Sequence, residues 1–304
     1  MSLFKNIILN NNNEIPPLGF GTFNLKTPKE SVYNALKLGY RLIDTAKFYF
    51  NEEEIGKGIK QFLSEQNEIK RSDLFVISKL WQNDQKNPIE ALKSSLKKLD
   101  LNYVDLYLIH WPLPEFKNGK FEKKIPLHVL WKNLEKCVEL NLTKNLGVSN
   151  FNSQLLLDLC SYAKILPTIN ECEIHPFFQQ NNLIKNFRNY NIKFISYMST
   201  CKAEAIKSNE KLKKECDLFR NDFILNLSKK YHQSPQNIIL NWHVNKGIIP
   251  IPKSDNIEHI KDNLKCLEFK MNDDEYKKFD DFDKNLRINI SECKSFCKNF
   301  DIFA

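Results

Sequence analysis

Glycine is scarce in this chain, and its scarcity restricts the fold class. Only 8 of the 304 residues are glycine, and none lies between Gly147 and Gly247. A collagen-like repeat needs glycine at every third position and is therefore excluded. Short antiparallel strands usually need many glycine-containing turns, so a turn-rich all-β sandwich is disfavoured. The residues are 42% hydrophobic and 27% charged, which is typical of a folded globular protein rather than a disordered one.

The cysteines lack the pairing that would point to a metal centre or a disulfide framework. The eight cysteines include no Cys-x-x-Cys pair, and only Cys293 and Cys297 lie close together. This spacing predicts neither zinc ligands nor structural disulfides, so we expect no metal site. Reduced thiols are typical of the cytoplasm, and we expect the protein to be cytoplasmic.

Long hydrophobic runs and dense basic tracts are also missing. The N-terminal apolar run is too short for a signal peptide, and no run reaches the roughly 20 apolar residues of a membrane helix. The net charge of +8 comes from 45 Lys and Arg against 37 Asp and Glu, spread along the chain. Such an excess is typical of a solvated surface and suits an anionic ligand such as a phosphate-bearing cofactor. We expect no contact with membranes or nucleic acid.

What the sequence does contain is a regular alternation of short apolar runs and longer amphipathic segments. Eight runs are predicted strands, at 18–22, 41–45, 74–79, 104–110, 145–149, 168–173, 193–197 and 248–252. Ten segments are predicted helices, at 28–38, 52–65, 88–99, 127–140, 153–162, 181–190, 220–231, 235–246, 257–265 and 273–284. This order is typical of a parallel sheet with helical crossovers, and eight units in one chain predict a (β/α)8 TIM barrel.

The alternative architecture is a doubly wound open sheet, which usually carries Gly-x-Gly-x-x-Gly after its first strand. The segment Gly19-Phe-Gly21-Thr-Phe-Asn24 lacks the third glycine, and the next helix begins several residues later. The barrel is therefore favoured. Residues 10–13 are all asparagine and are predicted as the tip of an N-terminal β-hairpin. We find no linker and predict a single domain over residues 1–304.

Several helix starts carry capping patterns. Thr27-Pro-Lys-Glu30 and Asn87-Pro-Ile-Glu90 predict capping boxes with proline at the first helical position. Weaker versions pair Asn51 with Glu54 and Asn272 with Glu275.

Chemically active side chains lie where the predicted strands end. Asp44 ends the second strand and Tyr49 follows it, Lys79 ends the third and His110 the fourth. In a (β/α)8 barrel these ends face one shared opening. Each residue alone is compatible with a structural role, but a buried Lys or His costs several kcal/mol unless it has a partner, so we expect the four to interact. An ammonium lowers the pKa of a neighbouring phenol, an aspartate holds the ammonium, and an imidazole orients a carbonyl.

Five motifs resemble those of the aldo-keto reductases, in particular the aldose and aldehyde reductases. They run in order between residues 17 and 282: Gly39-Tyr-Arg-Leu-Ile-Asp-Thr-Ala-Lys-Phe-Tyr49, Ile77-Ser-Lys79-Leu-Trp81, Leu108-Ile-His110-Trp-Pro112, Gly147-Val-Ser-Asn-Phe151 and Ile249-Pro-Ile-Pro-Lys253-Ser254. The resemblance implies a (β/α)8 barrel that reduces aldehydes or ketones to alcohols with NADPH, and with NADH as a weaker alternative. It implies small-molecule carbonyl substrates and a monomer.

The resemblance also implies roles for individual residues. Tyr49 would be the general acid, tuned by Lys79 and Asp44, and His110 would orient the carbonyl. Cofactor-binding positions would be Gly21, Thr22, Asp44, Ser149, Asn150, Glu171, Tyr197, Lys253, Ser254, His259, Asp262 and Asn263. Substrate-binding positions would be Phe23, Phe48, Tyr49, Trp81, His110 and Trp111. By resemblance, a C-terminal loop with Cys293, Phe296, Cys297, Phe300 and Phe303 closes the pocket; the alternative is a tail packed on the barrel.

Four positions depart from the family pattern. Glu171 replaces a glutamine that would hold the nicotinamide carboxamide, and Met198-Ser-Thr200 replaces Ser-Pro-Leu in a loop near the pyrophosphate. His259 replaces an arginine, which predicts a weaker preference for NADPH because histidine is mostly neutral at neutral pH. Asp262 replaces a longer glutamate.

The departure at Glu171 leaves two possibilities open. An ionised Glu171 would stabilise the oxidised, cationic nicotinamide, whereas a protonated Glu171 would imitate glutamine and change little. The function also has an alternative, a cofactor-bound regulatory or scaffold protein like the channel-associated β subunits of this superfamily. The complete set Asp44, Tyr49, Lys79 and His110 favours the enzyme.

Overall fold

The computed structural model describes residues 2–117, 120–201 and 217–289. Eight strands form one parallel sheet: β3 (Phe20–Gly21), β4 (Leu42–Asp44), β5 (Phe75–Leu80), β6 (Val104–Ile109), β9 (Thr143–Ser149), β10 (Ile169–Glu173), β11 (Lys193–Tyr197) and β12 (Ile248–Pro250). Two antiparallel pairs lie outside it: β1 (Ile7–Ile8) with β2 (Glu14–Ile15), and β7 (Phe116–Lys117) with β8 (Lys120–Phe121).

The parallel sheet closes on itself. Neighbouring strands pair in the order β3, β4, β5, β6, β9, β10, β11, β12. The first and last strands then meet, because the Gly19 and Gly21 amides donate to the carbonyls of Pro250 and Pro252 at 3.0 and 3.1 Å. The chain is therefore a (β/α)8 barrel, as predicted, and the doubly wound alternative is excluded. All eight predicted strands are present.

Within the described residues, ten α-helices surround the strands, close to the predicted positions. They are α1 (Pro28–Leu38), α2 (Glu52–Ser64), α3 (Pro88–Leu99), α4 (Leu127–Glu139), α5 (Ser153–Tyr162), α6 (Asn181–Asn186), α7 (Asp222–Tyr231), α8 (Pro235–Asn245), α9 (Ile257–Asn263) and α10 (Asp273–Lys278). Three of the predicted helices end in 3-10 turns, at Arg188–Tyr190, Leu264–Leu267 and Phe279–Phe282. Within the described ranges, no helix is both long and apolar enough to cross a bilayer.

The predicted capping boxes were wrong at Thr27 and Asn87 and correct at Asn272. Neither Thr27 nor Asn87 makes a side-chain cap bond, and Asn51 makes none either. At α1 the carboxylate of Asp255 fills the role predicted for Glu30, because its Oδ1 accepts a hydrogen bond from the Thr27 amide at 3.1 Å. The box of Asn272 and Glu275 is complete in both directions, at 2.9 Å each. A partner distant in sequence thus replaced the local cap that the pattern predicted.

The core has two layers, one inside the barrel and one between strands and helices. Seven apolar side chains from six strands fill the interior: Leu42, Ile77, Leu106, Leu108, Ile169, Ile195 and Ile249. Leu9 and Ile15 of the predicted N-terminal hairpin pack against this interior layer. The hairpin therefore closes the amino end of the barrel, and the carboxyl end is left for the site.

A glycine lies where two neighbouring strands leave no room for a side chain. A Cβ atom on Gly147 of β9 would lie 2.7 Å from the carbonyl oxygen of Ile169 on β10. Any larger residue would push these strands apart directly below Ser149 and Glu171, which lie opposite each other in the ladder. This glycine therefore helps to set the spacing of the site.

Candidate active site

The four residues singled out by the sequence meet at the carboxyl end of the barrel. Asp44 ends β4, Lys79 lies near the end of β5, and His110 follows β6. Tyr49 lies on the 3-10 turn Lys47–Tyr49 that follows β4. Asp44, Lys79 and His110 are buried, while Tyr49 is half-buried at the floor of the pocket.

The ammonium of Lys79 is the centre of this cluster. It donates to Asp44 Oδ1 in a short bond, and to the Tyr49 hydroxyl and the Thr45 carbonyl at 3.2 Å each. Glu171 Oε1 lies 3.3 Å from the same nitrogen. Lys79 is fully buried, with 0% of its side chain exposed, so its charge depends on these oxygens.

Glu171 and Asp44 share this one ammonium. Burial lowers the pKa of Lys79, but the two carboxylates outweigh it and the pKa is raised, so Lys79 stays charged. Burial and the neighbouring Asp44 raise the pKa of Glu171 to about 8, although Lys79 opposes the rise. Burial also raises the pKa of Asp44. These directions are consistent with one proton held between the two carboxylates at neutral pH.

The expected lowering of the pKa of Tyr49 was wrong in its net direction. Burial raises that pKa, Lys79 lowers it, and the charges of Asp44 and Glu171 raise it further. Sequence reasoning counted the ammonium but missed the second carboxylate and the loss of bulk water. Tyr49 is therefore a protonated phenol throughout the neutral range, with its hydroxyl bonded to Lys79.

His110 lies beside the phenol as a neutral imidazole. Burial, and then the charge of Lys79, lower its pKa well below the ordinary value. Its ring lies 5.7 Å from the Tyr49 ring, centroid to centroid. Its Nδ1 is buried and has no hydrogen-bond partner among the described residues. A neutral ring with a free nitrogen suits binding of a carbonyl group.

A second polar group of the pocket is centred on Asn150. Its Nδ2 donates to the His110 carbonyl at 3.0 Å and to Ser149 Oγ at 3.1 Å. The Tyr197 hydroxyl donates to Asn150 Oδ1 at 2.6 Å. Asn150 has a left-handed backbone, with φ of 64°, which turns the chain at the end of β9. The side chains predicted to meet the nicotinamide ring are thus connected to His110.

These groups line a pocket of about 630 Å³. The predicted residues that line it are Gly21, Phe23, Asp44, Phe48, Tyr49, His110, Trp111, Ser149, Asn150, Glu171, Tyr197 and Lys253. Trp81 lies behind the wall, stacked on Phe48 with ring centroids 3.8 Å apart. The pocket therefore combines a polar floor with an aromatic side.

Five predicted cofactor residues do not line this pocket. They are Thr22, Ser254, His259, Asp262 and Asn263. Four of them lie after β12, where His259 is exposed and could meet a ligand outside the pocket. Asp262 has partners already, since its Oδ2 accepts from Ser234 at 2.7 Å and from Asn237 at 3.2 Å. The buried Asn263 accepts from Gln236, and its Nδ2 has no partner in the described part of the chain.

Sequence reasoning missed two positioning residues. Asp255 accepts from the amides of Lys26 and Thr27 at 3.0 and 3.1 Å, and so holds the loop after β3. Gln236, at the start of α8, lines the pocket. Asp255 lies two residues after Lys253, but no local pattern indicates that it binds a loop 229 residues away.

Part of the predicted site falls outside the described residues. This applies to residues 202–216 of the loop after Tyr197 and to Cys293, Phe296, Cys297, Phe300 and Phe303. The chain just before the C-terminal segment is described and lies against the barrel. Glu173 accepts from the amides of Ile288 and Asn289 at 2.6 and 3.0 Å, and Asn289 lines the pocket. Within the described ranges, no cluster of three His, Cys, Asp or Glu side chains could hold a metal ion.

Comparison with known proteins identifies the class. The chain matches the Aldo/keto reductase family over residues 17–284. It is 36% identical over 304 residues to aldose reductase C of Dictyostelium discoideum, covering 93% of this chain and 91% of that protein. It is 35% identical over 305 residues to the NADPH-dependent D-xylose reductase of Meyerozyma guilliermondii, covering 93% and 96%.

A solved structure agrees with this assignment. The fold is similar to that of the Bombyx mori aldo-keto reductase in complex with NADP, with a TM-score of 0.87 and 31% identity over 96% of this chain and 97% of that one. The chain therefore belongs to the aldo/keto reductase family, an oxidoreductase family that acts on carbonyl groups of small molecules with a nicotinamide cofactor.

Proposed function

We propose that this protein reduces aldehydes or ketones to alcohols with NADPH, with Tyr49 as the general acid. The observation that carries the proposal is the contact of the Tyr49 hydroxyl with the buried Lys79 ammonium at 3.2 Å, on the floor of an aromatic pocket. The phenol is protonated, and its proton donor faces the place where a carbonyl oxygen would lie. A pocket with these residues suits a small carbonyl substrate.

The residues present fit a nicotinamide cofactor. Glu171 Oε2 is buried and accepts no hydrogen bond from an N–H or O–H donor among the described residues, and Glu171 lines the pocket. Ser149, Asn150 and Tyr197 lie on the same wall and would hold the ring and its carboxamide. When bound, the cofactor supplies a hydride to the carbonyl carbon.

The protein's own residues then handle the proton and the developing charge. Tyr49 gives its hydroxyl proton to the carbonyl oxygen, while Lys79 remains charged beside the phenol oxygen and stabilises the negative charge left there. Asp44 holds Lys79 in position. The neutral His110 donates a hydrogen bond to the same carbonyl oxygen and orients it.

For the adenosine end we propose Lys253, Ser254, His259, Asp262 and Asn263, with Gly21 and Thr22 beside the cofactor. The exposed ammonium of Lys253 favours the extra phosphate of NADPH over NADH. The similar D-xylose reductase is named NADPH-dependent, which supports this preference. We expect the preference to be modest, because His259 offers no permanent charge, and expect His259→Arg to raise the NADPH-to-NADH ratio of kcat/KM.

The decisive experiment measures consumption of reduced cofactor against a panel of aromatic aldehydes, short aliphatic aldehydes, aldoses and dicarbonyls. Turnover that depends on both NADPH and a carbonyl supports the enzyme. A bound cofactor with no turnover on any substrate would instead support the regulatory alternative.

We also propose that the chain is one domain and a cytoplasmic monomer. Light scattering would test the oligomeric state, and cell fractionation would test the location.

A further inference from the structure

The buried charges of the site do not balance. Asp44 and Glu171 are each 2% exposed, and Lys79 is 0% exposed. Within the described residues, Lys79 is the only cation within 4.0 Å of either carboxylate. Two ionised carboxylates with one ammonium would leave a net negative charge away from water, which is costly. One carboxyl group therefore keeps a proton in the free protein.

Glu171 is the group placed to exchange that proton with a ligand. Asp44 has the shorter bond to Lys79, whereas Glu171 contacts it at 3.3 Å. Glu171 Oε2 is buried and accepts no hydrogen bond from an N–H or O–H donor among the described residues, and the side chain lines the pocket. The Glu171 carboxyl group does lie within hydrogen-bond reach of Asp44, so the shared proton can reside on either group. A cationic ligand at that wall would replace the missing positive charge.

We propose that Glu171 gives up a proton to solvent when the oxidised cofactor binds and keeps it when the reduced cofactor binds. The inference rests on the proposed function, because it concerns the same pocket and cofactor. The oxidised nicotinamide ring is cationic and the reduced ring is neutral, so only the oxidised form stabilises an ionised Glu171. The family glutamine at this position has no proton to exchange.

Other titratable groups around Glu171 do not explain such an exchange. Burial raises the pKa of Tyr49 and of Tyr197. Burial, and then the charge of Lys79, lower the pKa of His110 well below its ordinary value, so that ring is neutral in the neutral pH range. On the same strand, burial raises the pKa of Cys172 to about 12. The remaining charged neighbours are Asp44 and Lys79, already paired, and Glu173, which binds His175 and lies 3.8 Å from Arg287.

Proton release on binding determines how the affinity for the oxidised cofactor depends on pH. The pKa of Glu171 is about 8 in the free protein, and a cationic ring lowers it. Affinity for the oxidised cofactor should then rise as the pH rises toward 8 and level off above it. Affinity for the reduced form should stay flat or fall. Both cofactor forms carry the same phosphate groups, so the effects of those groups cancel in the ratio of the two dissociation constants.

The test is to measure both dissociation constants by fluorescence between pH 6 and 9.5. In the wild type, the relative affinity for the oxidised form should rise by about tenfold over this range. Calorimetry in buffers of different ionisation enthalpy should show proton release on binding the oxidised form near pH 7.5. Glu171→Gln should abolish both the rise and the release while still binding the reduced form.

A matched control separates the effect of Glu171 from the effect of removing any other buried carboxylate. Glu52 is 1% exposed, bonds to Ser78, and its pKa is also raised by burial, but it does not line the pocket. Glu52→Gln should leave the ratio of dissociation constants and its pH dependence unchanged. A flat ratio in the wild type, or a slope that survives in Glu171→Gln, overturns the proposal. Failure of both cofactor forms to bind the wild type would overturn the proposed function instead.

Discussion

At the scale of single residues, the hydroxyl of Tyr49 has the most specific role. Tyr49→Phe keeps the ring beside Phe23, 5.0 Å away between centroids, and removes only the proton donor. We expect kcat to fall by about 10²–10⁴-fold, since general acid catalysis contributes that much. The dissociation constant of the cofactor should change by less than about threefold, since cofactor binding uses other groups.

Stopped-flow measurement of a single turnover, together with cofactor titration, would check this expectation. Phe23→Leu is a suitable control, because it alters the same wall without touching a proton donor. If Tyr49→Phe kept half of the wild-type turnover, Tyr49 could not be the acid, and His110 would be the next residue to examine.

Glu171 also affects stability, and the direction follows from its raised pKa. Its pKa is about 8 in the folded protein, and the pKa of an unfolded glutamate is about 4.3. Protonated Glu171 therefore stabilises the fold at low pH, and that contribution is lost as the pH rises through about 8. Glu171→Gln does not ionise, so its free energy of unfolding should exceed that of the wild type increasingly as the pH rises, by up to about 5 kcal/mol at pH 8.5.

Chemical denaturation of both proteins at pH 5 and at pH 8.5 measures this difference. A gap that stays constant between the two pH values would show that Glu171 does not titrate in the folded protein. The result concerns the cofactor-free protein, so it does not depend on which cofactor the enzyme uses.

At the scale of elements, the starts of two helices can be compared, one with a side-chain cap and one without. Asn272 and Glu275 complete a capping box at the start of α10, whereas Asn87 makes no cap bond at the start of α3. We expect Asn272→Ala to lower the free energy of unfolding by about 1 kcal/mol. Asn87→Ala should cost less than about 0.5 kcal/mol, and equal losses for the two variants would contradict the structure.

The elements also show what sequence could predict. Strand and helix positions followed from hydrophobic periodicity, because one face of each helix and both faces of each barrel strand are buried. The caps at Thr27 and Asn87 were mispredicted because the pattern is local, while Asp255 reaches α1 from the far end of the chain. For the same reason the sequence identified Glu171 as a departure but could not show that it shares Lys79 with Asp44.

At the scale of the whole molecule, the two ends of the barrel have different roles: one end stabilises the fold and the other holds the candidate active site. The hairpin closes the amino end, where Leu9 is 1% exposed, and the aromatic pocket lies at the carboxyl end. Shortening a side chain should therefore mainly reduce stability at the amino end and mainly affect substrate binding at the carboxyl end. At the carboxyl end, Phe48 is the residue to compare with Leu9. It stacks on Trp81 and is half-buried in the pocket wall.

We expect Leu9→Ala to lower the free energy of unfolding by about 2–4 kcal/mol, as cavities in a core do, while leaving kcat and KM unchanged below the melting transition. Phe48→Ala should raise the KM of aromatic aldehydes by about tenfold, because it removes a wall of the pocket. Its cost in stability should be smaller, since the side chain is partly exposed. Denaturation curves and steady-state kinetics on the two variants measure all four quantities. A Leu9→Ala enzyme with altered KM would mean that the two ends of the barrel are coupled, and the interior layer of Leu42, Ile77 and Ile249 would be the connection to examine.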